Sequence, residues 1–214
     1  MKGLGFRAGW GVLGALAVSV AGTATAQDEG VKMVEQLVKK AGSTVQAISE
    51  AKVQLNKTMD VYNSIFADDA KDRKNLYKKL QDEMETMEKR RAEISKRSDE
   101  MKTEADTVFK SWSDSTGAID NPDLKKRSQE RLTKTKASYN QIEAAGKKAQ
   151  EVYSPVMKSL QDQVTYLGHD LNASAVASLK PDAAKLNAQA EELSKRVDET
   201  VSVANKNINS LKPE

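Results

Sequence analysis

Apolar side chains return every seven positions along most of this sequence, a rhythm that belongs to long helices burying a narrow stripe. Between Val31 and Phe66 one row is Val34, Ala41, Ile48, Leu55 and Tyr62. The interleaved row is Val31, Val38, Val45, Lys52, Met59 and Phe66, so ten of these eleven positions are apolar. The exception, Lys52, is expected to snorkel or to mark register. Composition fits a narrow stripe better than a compact core. Apolar residues make up 38% of the 214, against roughly 45–50% in ordinary globular domains, while charged residues reach 30%.

Three further helices follow from the same periodicity. Ala67-Asp68-Asp69-Ala70 interrupts the first pattern, with Asp68 or Asp69 as expected cap of a helix over Lys71 to Trp112. Its rows are Leu80, Met87, Ile94, Met101 and Val108, then Tyr77, Met84, Arg91, Ser98, Ala105 and Trp112. The second row turns polar at Arg91 and Ser98, so this seam is weak in its middle. The clearest break is Ser113 to Asn121, where Gly117 suits a helix end and Pro122 the first turn of the next. The third helix carries Leu132, Tyr139, Gly146, Tyr153, Leu160 and Leu167, with Thr135, Ile142, Ala149 and Val156 in the other row. Pro155 inside it predicts a kink or a restart. Residues 172 to 180 read as a turn with a short helical piece. A final helix is expected over Asp182 to Leu211 on Leu186, Ala190, Leu193, Val197, Val201, Ala204, Ile208 and Leu211. No Asn-Gly or Asp-Gly dipeptide and no alternating strand pattern occurs. The expected fold is all-α: an elongated antiparallel bundle of about four long helices with coiled-coil packing. The second and third helices would form a hairpin of ~60 Å or more, which the first and last cover toward one end.

The first 26 residues read as an export signal rather than as part of the fold. Lys2 and Arg7 form a basic start, Ala8 to Ala21 carry no charge, and Ala24-Thr25-Ala26 offers small residues where a signal peptidase cuts. The apolar stretch falls short of the ~20 residues of a membrane span and is diluted by Gly9, Gly11 and Gly14. Cleavage near Ala26 leaves residues 27–214 as one helical domain, periplasmic or secreted. Lys and Arg then fall from 34 to 32 against 31 acids, leaving a net charge of +1. Signs are interleaved as on solvated helix faces, and nucleic acid is not an expected partner.

Chemistry is sparse. The absence of cysteine removes disulfides, thiolate metal sites and Cys nucleophiles, and a single histidine, His169, leaves little for zinc or His-based triads. No metal, cofactor or catalytic residue is expected. Glu83, Glu85 and Glu88 cluster on the second helix, as do Asp99, Glu100 and Glu104, but Lys partners one turn away explain them as a charged face. Met84, Met87 and Met101 read as soft core fillers, or else as an adaptable surface for a partner. Lys125, Lys126 and Arg127 with Arg131 and Lys134 either touch an anionic surface or pair with the acidic second helix. The triplets Asn56-Lys57-Thr58 and Asn172-Ala173-Ser174 match a glycosylation acceptor, and such triplets recur by chance.

The most distinctive stretch runs from Tyr153-Ser154-Pro155-Val156 through Gln161-Asp162-Gln163-Val164, then Tyr166-Leu167-Gly168-His169-Asp170-Leu171-Asn172-Ala173, and on to Ala177-Ser178-Leu179. It resembles the bacterial DUF2959 family, whose members pair such a block with a helical C-terminus. Asn75-Leu76-Tyr77 and Trp112 also fit the family's order of features. Ser154 stands where the family often has Asp, and Gly168 where a Lys is common. Many members look like exported lipoproteins, and this chain lacks the Cys that role needs. The resemblance implies a helical envelope protein and supplies no catalytic residues. Within the block, Tyr166, His169, Asp170 and Asn172 are the expected interaction residues. The expected function is a non-enzymatic scaffold with protein partners in the cell envelope. A holdase chaperone is the alternative, and a cell-wall hydrolase using His169 and Glu88 comes third. Arg91 and Ser98 could meet a second copy to form a homodimer.

Overall fold

The computed structural model describes residues 21–67 and 72–211. The expected export signal therefore lies outside the described residues up to position 20, and of residues 21–29 only the backbone is described. Four helices account for the fold: α1 (Ala21–Ile65), α2 (Arg73–Gly117), α3 (Pro122–His169) and α4 (Ala173–Leu211). At ~1.5 Å per residue they are roughly 58–72 Å long.

Local chemistry sets their ends. The cap of α2 is Asp72 rather than Asp68 or Asp69: its Oδ1 accepts from the Asn75 amide at 3.1 Å, and the helix starts at Arg73 rather than Lys71. Asn121 Oδ1 accepts from the amides of Asp123 and Leu124 at 3.0 and 3.1 Å, with Pro122 at the first turn of α3. The stretch read as a turn with a short helical piece is instead the start of α4. Asn172 Oδ1 takes the Ala175 amide at 2.9 Å, and the helix runs through Pro181 without a break. Pro155 is likewise accommodated inside a continuous α3.

Each helix packs on its chain neighbours, and α4 closes the ring against α1. The neighbours are antiparallel, as the cross-links show. Lys40 meets Glu100 and Glu50 meets Arg90 between α1 and α2. Lys52 meets Asp198 between α1 and α4, and Ser138 meets Ser210 between α3 and α4. The layout departs from an α2–α3 hairpin covered at one end by the others. The closest-packed pairs are α1 with α2 and α3 with α4, because the polar Arg91 and Ser98 weaken the α2 face turned to α3.

The core is split in two. One cluster joins Leu55, Tyr62 and Ile65 of α1 to Leu80 and Met87 of α2, Leu160 and Leu167 of α3, and Leu186 and Leu193 of α4. The other joins Leu37 and Val45 to Met101, Phe109, Leu132, Ile142, Ala204 and Ile208. Nearly all the apolar positions of the sevenfold rows lie in or against these clusters. Val31 is an exception and keeps 38% exposure. Thirteen residues along both antiparallel helices from the Lys52–Asp198 pair, Leu211 comes level with Lys39, so α4 stops short of Val31. Lys52, the one charged position of the first rows, is spent on that pair, both Asp198 oxygens lying 2.6 Å from its Nζ.

Candidate functional site

The interaction residues expected from the sequence divide between two roles. Three of them close the α3–α4 turn. Asp170 accepts from the Asn172 amide at 2.9 Å and from its side-chain nitrogen at 2.8 Å, and Asn172 caps α4. The Tyr166 hydroxyl lies 3.2 Å from Ser178 Oγ, which pins the last turn of α3 to the first turns of α4. These contacts use the polar groups of Tyr166, Asp170 and Asn172 locally. His169 differs: it is exposed and lines a groove between α2 and α3.

That groove has a volume of about 750 Å³. Its floor is apolar, built from the buried Met84 of α2 and Met157 and Val164 of α3. Its rims carry Tyr77, Gln81, Glu85 and Glu88 from α2, and Lys158, Gln161, Thr165 and His169 from α3. Tyr77 reaches across to Gly168, where a Cβ would stand 2.5 Å from its hydroxyl. Glu88 and His169 therefore share one groove, but Glu88 is held at 2.8 Å by Arg91 of its own helix. Both are exposed.

The groove belongs to a seam unlike the other three. Between Tyr77–Ala105 of α2 and Ile142–Gly168 of α3, no hydrogen bond or ion pair crosses among the described residues. The α2–α3 bonds gather at the turn instead: Trp112 Nε1 donates to Ser128 Oγ at 3.1 Å, Thr116 Oγ1 lies 2.6 Å from the same oxygen, and Lys125 donates to Gly117 O at 2.9 Å. From Glu88 to Glu100, α2 buries no residue. Facing that stretch, the Tyr153 hydroxyl is buried without a protein partner. Burial, then the Glu88 carboxylate, pushes its pKa up to about 12. The Tyr139 hydroxyl, two heptads away, is also buried without a partner. Tyr62 shows the contrast: its buried hydroxyl donates across the bundle to Gln163, and burial followed by Asp182 raises its pKa.

The sequence signal for this seam was the polar interruption at Arg91 and Ser98. The groove itself has no signal in either helix taken alone, where Met84 falls on a seam position like any core residue. Among the described residues, no three His, Cys, Asp or Glu side chains come together as a metal site, and no helix is long and apolar enough to cross a membrane. No curated protein and no solved structure matches the chain. A family model described as a protein of unknown function, DUF2959, matches residues 24–211. That match spans all four helices from the start of α1 to the end of α4, and the chain belongs to the DUF2959 family.

Proposed function

We propose that this protein is a non-enzymatic helical scaffold of the cell envelope, exported by its N-terminal signal, and that it holds a protein partner along the α2–α3 seam. The observation that carries the reading is the groove with Met84, Met157 and Val164 at its floor, between two helices that make no polar bond to each other along its length. A site of this size and character suits an amphipathic segment whose apolar side fills the floor and whose polar side meets the Gln, Glu and Lys rims. Export rests on Lys2, Arg7, the uncharged run to Ala21 and the Ala24-Thr25-Ala26 step. The methionines also favour a second reading, a holdase, since thioether side chains repack against varied apolar clients.

One experiment separates the two. A photo-crosslinking residue is placed in turn at Gln81 and Gln161 on the groove rims, and at Glu191 and Lys195 on the exposed side of α4, in cells producing the full chain. A scaffold gives one discrete product from the two rim positions and none from α4. A ladder of many products from the rims identifies a holdase. Equal labelling from all four positions, or none from the rims, removes the seam as the binding site.

A further inference from the structure

We propose that the end of the bundle formed by the α2–α3 turn docks on an anionic phospholipid surface through a stripe on α3. This surface is separate from the groove and does not depend on it. Leu124, Arg127, Arg131 and Lys134 follow one another at helical spacings of three and four and so share one side of α3. The next position on that side, Ser138, lies 3.0 Å from Ser210 of α4. By that contact Leu211 comes level with about residue 137 of α3, so the described residues of α4 leave Leu124, Arg127 and Arg131 uncovered. All four side chains are exposed, Leu124 at 53%.

The cations of the stripe are not neutralised by the acidic second helix, one of the two readings the sequence allowed. Among the described residues, no ion pair is made by Arg127, Arg131 or Lys134, nor by Lys126 beside them. Asp114, the α2 acid level with the stripe, pairs with Lys110 of its own helix. Between Lys125 and Lys136 six basic residues face one acid, Glu130.

One observation favours a bilayer over an acidic polypeptide. The exposed Leu124 stands in the first turn of α3, at the end of a rod, where it can enter the headgroup layer. Attraction of clustered Lys and Arg to anionic headgroups, with one apolar side chain inserted, is the chemistry the stripe supplies.

The test compares binding of the full chain to vesicles of phosphatidylcholine alone and of phosphatidylcholine mixed with phosphatidylglycerol. The N-terminal segment with Lys2 and Arg7 is common to wild type and variants, so the change in the ratio between the two vesicles is the readout. The wild-type chain is expected to favour the anionic vesicles on the order of 100-fold at low salt, from roughly three cations near the surface, and to lose that preference at high salt. R127E/R131E/K134E should bring the ratio to one or below, with helicity unchanged by circular dichroism. If the reversal unfolds the chain, R127Q/R131Q carries the same test through a reduced ratio. L124S should weaken binding to anionic vesicles while leaving its salt dependence intact. Equal binding of the wild-type chain to both vesicles overturns the proposal, as does an unchanged ratio in the folded variants. Binding to soluble polyglutamate without binding to anionic vesicles overturns it in favour of an acidic protein partner.

Discussion

Glu83 is a carboxylate with 8% of its side chain exposed, held between two donors of α1. Gln54 Nε2 donates to one oxygen at 2.7 Å, and Lys57 Nζ lies 2.9 Å from the other. The Gln54 bond, then Lys57, outweigh the cost of burial and hold the carboxyl below its ordinary value of 4.5. Folding therefore favours the ionised form. That stabilisation is present above pH 4.5 and is lost as the pH falls through the lower folded value. E83A removes the shortest bond of the buried Gln54 amide, leaving it the 3.2 Å bond to the carbonyl of the same residue, and is expected to cost about 1–2 kcal/mol at neutral pH. E83Q keeps the shape and discards the charge, so its deficit against wild type should shrink as denaturant titrations are repeated from pH 7 down past 4. A deficit that stays constant over that range would mean the carboxylate's charge contributes nothing. At this scale the sequence was a poor guide: Glu83 looked like one more member of a solvated acidic run. Only the position of α1 against α2, with Gln54 and Thr58 also turned inward, makes it a buried group.

Among the elements, the prolines mark both what could be read from the sequence and what could not. Asn121-Pro122 was legible as a helix start because the Asn side chain and the fixed proline φ both act within one turn. Pro181 was misread as a boundary, since the competing signal lay nine residues upstream. There Asn172 caps α4, and Asp170 ties Asn172 in place. Apolar contacts then outweigh the proline: Val176 and Leu179 before it and Ala183 and Leu186 after it all join one core cluster. Each internal proline still leaves a carbonyl one turn back without its helical donor. Near Pro155, the Ser154 hydroxyl instead donates to the neighbouring Gln150 carbonyl at 3.4 Å. Both proline rings are exposed, so removing them opens no cavity. P155A and P181A are each expected to stabilise the chain by on the order of 1–3 kcal/mol, below the full helix-interior penalty because the backbone has already adjusted. Thermal unfolding should rise by roughly 2–4 °C per kcal/mol gained. A fall in either variant would show that the proline itself stabilises the native helix at that point.

Taken whole, the molecule is two helical hairpins fastened along one edge and loosely closed along the other. Lys52 with Asp198, and Asn63 with Asn187 through two reciprocal amide bonds, fasten α1 to α4. Contacts of Gln54, Glu83, Arg90 and Arg97 bind α1 to α2, and Thr200 donates across to the Ala145 carbonyl to bind α3 to α4. The α2–α3 edge has its polar bonds only at the turn, and the two core clusters leave α2 without a buried side chain from Glu88 to Glu100. Opening there breaks few apolar contacts and no polar bond between the helices, whereas opening at the α1–α4 edge breaks both. Local opening free energy follows that difference. Native-state hydrogen exchange should therefore release the amides of residues 88–100 of α2 first, with the facing residues 143–155 of α3 next. The amides around Leu55 to Tyr62 and Leu186 to Leu193 should exchange last, near the global unfolding limit. The two classes should separate further when denaturant is kept low, because opening of the seam exposes little new surface. Protection that is uniform along α2, or weakest in α4, would place the loose edge elsewhere and deprive the α2–α3 groove of the adaptability that a partner-holding seam requires.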